Sequence, residues 1–218
     1  MLQTKHENRA RKKVRKHHNR MVRIYNRYAT VYDKVFERFF FDCKIQAISS
    51  ETFPKNARIL DIGLGSGMSL KLFPSNAKIV GIDISLKMLQ EAEKKASSSK
   101  KDITLIAANG EKLPFRDNSF DFIFMSHVLS VLPNPEHALS EIHRTVKKDG
   151  QIVIINAFLS RNPLLCTFQR AINPVCYRLG WKNNISLNRF NESNHFDLES
   201  VRKHKKHSLW TILKLKPL

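Results

Sequence analysis

Residues 59–67 read Ile59-Leu60-Asp61-Ile62-Gly63-Leu64-Gly65-Ser66-Gly67: an apolar run that breaks directly into three alternating glycines. Glycine tolerates positive φ and leaves no side chain between the backbone and a bound molecule. A buried strand feeding such a turn therefore either reverses the chain tightly or cradles a ligand. The spacing is GxGxG; with Met68 at the next place, the longer GxGxxG pattern is absent.

Two further pieces follow in order. Ile79-Val80-Gly81-Ile82-Asp83 is a second apolar run, ending in a carboxylate about twenty residues downstream. An acid at that place can accept two ribose hydroxyls as a fork where an α/β sheet opens its crevice; the alternative is an Asp that caps the helix starting near Ser85. Asn109-Gly110-Glu111-Lys112-Leu113-Pro114-Phe115 follows the third run, and Asp117-Asn118-Ser119-Phe120-Asp121 turns into the fourth.

Outward from these pieces the chain alternates. Arg58 to Ile62, Lys78 to Ile82, Ile103 to Ala107, Phe120 to Met125 and Gln151 to Ile155 read as buried strands, and Ser85 to Ala96 and Pro135 to Val146 as helices. Asp149-Gly150 is expected as a turn before the fifth strand. That rhythm implies an α/β fold with a mostly parallel sheet and helices on both faces. Residues 160–190, with Pro163 and Pro174 among aromatic and basic residues, suggest an irregular helical cap, and Glu199 to Lys205 with Ser208 to Leu215 a closing antiparallel hairpin.

The three pieces in that order resemble the class I S-adenosylmethionine-dependent methyltransferases, over about residues 57–157. The resemblance implies a seven-stranded Rossmann-like sheet whose last strand is antiparallel, with S-adenosyl-L-methionine over the carboxyl ends of the strands. It places Asp61, Gly63, Gly65 and Gly67 around the methionine part and Asp83 at the ribose. Asn109 stands where the family usually has an acid for the adenine amino group, with Glu111 as a neighbouring candidate. Ile84, Gly110 and Ser126 complete the expected cofactor set.

Charge is the strongest bulk property: 38 Lys+Arg against 19 Asp+Glu give a net charge of +19. Residues 1–30 alone hold ten Lys/Arg against the single acid Glu7, nearly half of the excess. Val14, Met21, Val22, Ile24, Tyr25 and Tyr28 form a rough apolar stripe at helical spacing. Residues 1–30 are therefore expected to be a basic amphipathic helix meeting an anionic membrane surface, and 31–218 the catalytic domain with a substrate cap at 160–195. The helical reading continues over Ala29 to Ser50, where Val31, Val35, Phe36, Phe39, Phe40 and Cys43 offer a thicker apolar face to the domain.

The longest apolar runs stop well short of the ~20 residues that cross a bilayer, and the basic start lacks the apolar stretch of a secretory signal. Three cysteines without zinc-site spacing point to reduced thiols in the cytoplasm, and the nine histidines form no metal set, so no metal is expected. The expected place is therefore the cytoplasm, peripherally on the inner face of the membrane.

The flanks narrow the acceptor. Arg27-Tyr28-Ala29-Thr30-Val31-Tyr32-Asp33 is similar to the tyrosine-bearing first helix of quinone and phospholipid methyltransferases. Gly63 to Leu70, Asn156-Ala157-Phe158, Gly180-Trp181 and Ile185-Ser186-Leu187 resemble segments of soluble bacterial phosphatidylethanolamine N-methyltransferases, with Ala157 where many members have His. The resemblance implies a phospholipid substrate, methylated on its ethanolamine amine through mono- and dimethyl forms to phosphatidylcholine. His127, just past the fourth strand, is the candidate proton acceptor, and Tyr28 and Tyr32 candidates for binding the phosphate or flanking the amine. A quinone precursor or other small molecule is the alternative acceptor. A nucleic-acid acceptor is disfavoured, because Ser126-His127-Val128-Leu129 stands where a base-flipping NPPY-type loop would be.

Overall fold

The computed structural model describes residues 2–29, 32–160, 162–182, 184–191, 195–205 and 208–218; the side chains of 2–11, 13, 32–39, 189 and 191 lie outside that description. Two helices, α1 (Leu2–Tyr28) and α2 (Tyr32–Ser49), precede β1 (Arg58–Ile62), β2 (Lys78–Asp83), α3 (Leu86–Ser97), β3 (Asp102–Ala107), β4 (Phe120–Ser126), α4 (Pro135–Thr145) and β5 (Val146–Ala157). The chain closes with α5 (Pro163–Leu179), the single-turn α6 (Asn188–Asn191), β6 (Phe196–Lys203) and β7 (Trp210–Pro217).

The seven strands form one sheet in the order β3-β2-β1-β4-β5-β7-β6. β1 to β5 pair in parallel, and β7 runs antiparallel to both β5 and β6. The order reverses at β1: the chain steps to one side for β2 and β3, then to the other for β4. At such a switch point the loops leaving adjacent strand ends diverge and open a crevice.

Both sheet faces are covered, which is why β1 and β4 read as continuous apolar runs rather than alternating ones. Cys43, Ala47 and Ile48 of α2 and Leu89 and Ala92 of α3 pack on one face with Ile59, Ile79, Phe122 and Phe124. Ala138, Leu139 and Ile142 of α4 pack on the other with Leu60, Ile82, Ile123 and Ile154. Ser85 starts α3 as expected, its side chain accepting a hydrogen bond from the Met88 amide.

Two expectations are corrected. Asp149-Gly150 does not precede β5 but lies inside it: Phe120 pairs with Val146 and Phe122 with Gln151, so the surplus residues bulge out of the ladder. The span expected to be an irregular cap contains a regular 17-residue helix, α5. It is started by the Asn162 side chain, which accepts from the Leu164 and Leu165 amides, and stopped by Gly180 in the left-handed conformation. Pro174 sits within that helix, whose caps at both ends define it despite the two prolines. The expected hairpin forms with its first strand starting three residues earlier and its second two residues later, and all three cysteines are free.

Candidate active site

The carboxyl ends of the strands surround a cavity of ≈ 380 Å³, within the range typical of small-molecule sites. Ile62 and Gly63 come from the end of β1, Ile82 to Ile84 from β2, Ala108 to Gly110 from β3, Ser126 to Val128 from β4 and Ala157 from β5.

The glycine turn is built for close approach. Gly63, Gly65 and Gly67 all have positive φ. A Cβ on Gly63 would stand 2.2 Å from Val128 Cγ2, so this residue must be glycine for the loop after β4 to close against it. A Cβ on Gly65 would meet nothing within 4 Å and would project into space at the cavity wall, where a ligand would lie. Gly67 serves packing instead: its Cβ would meet Ala92 of α3 at 3.0 Å, and it does not line the cavity.

Asp83 stands where an acid at the end of β2 was expected. Its Oδ2 accepts from the Gly65 amide at 2.9 Å and its Oδ1 from the Ser85 amide at 2.8 Å. Each oxygen keeps a lone pair for a diol, so the carboxylate is oriented before any ligand arrives. Burial raises its pKa, opposed by the Ser85, Gly65 and Ile84 amides and by Lys44. Ile84, Asn109 and Gly110 line the same part of the cavity with Met88, Val131 and Leu132, a polar edge beside apolar surfaces that suits a purine.

Two further expected residues, Asp61 and Glu111, lie off the cavity wall. Asp61 is fully buried behind the glycine turn, accepts from Ser69 Oγ, and is absent from the cavity wall. Desolvation pushes its pKa up to about 6, countered by Lys44 and the Ser69 hydroxyl and reinforced by Asp83. Glu111 is committed to structure: it accepts from the Asn134 amide at 2.5 Å and pairs with His18 Nε2 at 2.8 Å. The Tyr32 side chain lies outside the described residues. Tyr28, Ser126 and His127 do line the cavity.

His127 is ill suited to accept a proton. Its backbone is in the left-handed region at φ 62°, held by its amide donating to the Ile155 carbonyl at 2.7 Å. Both ring nitrogens are buried without a hydrogen-bond partner. Burial, helped by the Lys44 charge, pushes the pKa down to about 3, so the ring is neutral at physiological pH and a weak base.

Sequence reasoning missed most of one wall. His18, Met21, Tyr25 and Tyr28 of α1 face the cavity at spacings of three, four and three residues, one helical stripe. The helix is fastened to three loops around the cavity. His17 Nε2 meets the Val131 carbonyl at 2.8 Å, His18 pairs with Glu111, and Ser85 Oγ donates to Asn26 Oδ1 at 2.6 Å. Arg20 donates to the Tyr177 carbonyl of α5 at 2.6 Å and lies 4.1 Å over its ring. The stripe was legible; its target was not, because the surrounding charge directed the reading outward. Trp181, from the Gly180-Trp181 match, is also on the wall with Phe40 and Trp210, which belong to no motif, and Lys44 is a buried lysine on α2 that no motif marks.

The residues present fit S-adenosylmethionine: an open glycine cradle, a pre-oriented carboxylate able to accept from a diol, apolar side chains beside Asn109 and Gly110, and an unpartnered buried hydroxyl at Ser126. The family described as "Methyltransferase domain" matches residues 60–154. A phosphatidylethanolamine N-methyltransferase of Cereibacter sphaeroides is 31% identical over 62% of this chain and 68% of that protein. A 2-phytyl-1,4-naphtoquinone methyltransferase of Nostoc is 29% identical over 79% of this chain and 84% of that one. A solved SAM-dependent methyltransferase from Aquifex aeolicus superposes with a TM-score of 0.62 at 19% identity, covering 89% of this chain and 98% of that one. With the motif-bearing strands matched in sequence and the whole sheet matched in space, the chain belongs to the class I S-adenosylmethionine-dependent methyltransferases, and S-adenosylmethionine is its cofactor.

Proposed function

We propose that this methyltransferase acts on the amine of phosphatidylethanolamine, and on its mono- and dimethyl forms, while docked on an anionic membrane surface. The observation that carries the reading is the outer face of α5. Leu164, Phe168 and Val175 are 82, 61 and 61% exposed, and with Leu179 they follow the helical repeat in one apolar stripe. Leu179 and the following Trp181 reach the cavity wall, so the stripe leads to the site.

From Gly150 to Asn191 the sequence has no Asp or Glu but five Lys/Arg: Arg161, Arg170, Arg178, Lys182 and Arg189. An apolar stripe in a cationic, acid-free segment suits insertion among anionic headgroups, where each basic side chain contributes ~1 kcal/mol. The basic residues of α1 add to that attraction. No described helix is long and apolar enough to cross a membrane, so docking on this reading is peripheral.

Bound S-adenosylmethionine, held by Asp83 and the glycine turn, would supply an electrophilic methyl group for the amine lone pair and leave as the neutral thioether. Asp83 and the Gly63 and Gly65 backbone fix the donor, while α1 and the aromatic side chains exclude water. Asp83 is the single carboxylate on the cavity wall among the described residues, and His127 is too weak a base, so on this reading the ammonium gives up a proton to water before each of the three transfers.

A quinol ring is the second reading, favoured by the quinone-methylating relative, which is matched over a larger share of both chains. Radiolabelled methyl transfer decides between them. Vesicles of phosphatidylethanolamine with phosphatidylglycerol are expected to be labelled, with Leu164→Ser/Phe168→Ser losing vesicle binding but keeping affinity for S-adenosylhomocysteine. Labelling of demethylmenaquinol alone would overturn the amine assignment.

A further inference from the structure

The loop after β3 holds two polar side chains at the purine end of the cavity, Asn109 on the wall and the buried Glu111. The loop is pinned at its start, where the Ala108 amide donates to the Asp83 carbonyl at 3.1 Å. Asn109 then folds back on a tight turn. Its Oδ1 accepts from the Glu111 amide at 2.9 Å, and its main-chain carbonyl accepts from the Lys112 amide at 3.0 Å. The first of these bonds decides which end of the side chain is which. A backbone N–H can only donate, so the atom facing it is the amide oxygen, and the other end is the NH2 group, which carries two donors and no acceptor. With the oxygen engaged, Nδ2 is the polar end of Asn109 left to a ligand.

The side chains that could accept from a purine amino group there are already in use. Glu111 Oε1 accepts from the Asn134 amide at 2.5 Å, and its Oε2 pairs with His18 Nε2 at 2.8 Å. Asp83 is turned toward the glycine loop and α3 by the Gly65 and Ser85 amides. The carbonyls of Val131 and Leu132, two further wall residues, take the His17 ring and the Lys182 ammonium at 2.8 and 3.0 Å. An acid in place of Asn109 could keep the bond to the Glu111 amide with one oxygen and offer the second to a 6-amino group. The amide offers a donor at that place.

The two purine classes answer these polarities differently. A 6-aminopurine shows an acceptor at N1 beside its amino donor; a 6-oxopurine shows N1–H as a donor beside the O6 acceptor. A carboxylate takes the amino group and repels O6. A donor is satisfied by N1 of the one and by O6 of the other. We propose that Asn109 reads the purine as a hydrogen-bond donor, so that the cofactor site takes a 6-oxopurine nucleoside, as in the S-inosyl compounds, nearly as well as the adenosyl ones. The inference concerns the cofactor alone and holds for an amine or a quinol acceptor.

Calorimetry on the full chain at neutral pH, with S-adenosylhomocysteine and its 6-oxo counterpart S-inosylhomocysteine, tests this without any transfer reaction. The two dissociation constants are expected to agree within about five-fold, less than one hydrogen bond to a charged group is worth. Asn109→Asp should impose a preference of about ten- to hundred-fold for the adenosyl compound, since it restores a charged acceptor. Asn109→Ala should weaken both compounds by the same factor, about two- to ten-fold for a neutral hydrogen bond. A preference of the unaltered protein for the adenosyl compound beyond about five-fold overturns the proposal, and needs no variant to fold. So does an Asn109→Asp protein that binds S-adenosylhomocysteine with an unchanged ratio, or an alanine variant that weakens only one of the two.

Discussion

At His127 the surroundings override the ordinary chemistry of the side chain. Two aromatic neighbours and a buried position remove the water that would solvate an imidazolium, and Lys44 adds repulsion. Since the folded pKa of about 3 lies below the unfolded value near 6.5, the folded state binds the proton less readily. The neutral ring therefore contributes stability that is fully present above about pH 6.5 and is lost progressively on acidification toward pH 3, at ~1.4 kcal/mol per unit. Thermal melts of His127→Phe should show a shallower acid limb across that window than the unaltered protein; parallel curves would mean the imidazole is solvated. Asp83 sits at the opposite extreme, a carboxylate held by two amides and ready for a diol. Asp83→Ala should weaken S-adenosylhomocysteine binding by about 2–3 kcal/mol, the worth of hydrogen bonds to a charged group, as read by calorimetry.

The elements are joined at their ends, and Ser85 shows how. Its hydroxyl accepts from the Met88 amide to cap α3 and donates to Asn26 of α1, while its own amide steadies Asp83. Ser85→Ala keeps the amide and loses both side-chain bonds. The cap alone is worth ~1 kcal/mol, so urea unfolding should report a loss of at least that size. Limited proteolysis within α1 should accelerate as well, and unchanged cleavage would show that Asn26 does not depend on this contact. α5 is the contrasting case: capped at both ends and apolar on its outer face, it gains little from the core along that stripe.

Across the whole molecule, α1 is part of the cavity wall as well as a carrier of positive charge. His17, His18, Arg20 and Asn26 tie it to the loops after β2, β3 and β4 and to α5. Removing residues 1–20 takes away the first three of these contacts. At ~1 kcal/mol for each of the two histidine bonds, affinity for S-adenosylhomocysteine should fall about ten- to thirty-fold even without any lipid present. Undiminished affinity in calorimetry would return α1 to the role of anchor alone. On the proposed reading, a helix drawn toward a bilayer is also a wall of the site, so vesicle binding and cofactor affinity are linked quantities and each should shift the other.

The alternation of apolar runs with helical stripes, the glycine turn and the acid after the second run were enough to settle the sheet and its direction, and they mark residues that line one end of the cavity. Those features follow from local rules: strand burial on both faces, glycine's access to positive φ, and a carboxylate at a strand end. What lines the other end of the cavity was decided by folding alone. Phe40, His127 and Trp210 are far apart in the chain and carry no common spacing, and only the β4–β5–β7 register and the packing of α2 bring their rings together. The same holds for Glu111, which the order of motifs offered to the adenine and His18 claimed, and for Lys44, whose burial gives it a field reaching Asp61, Asp83 and His127. Local sequence specifies what a residue can do. Which partner it meets, and in what dielectric, is settled by contacts between segments that the sequence keeps apart.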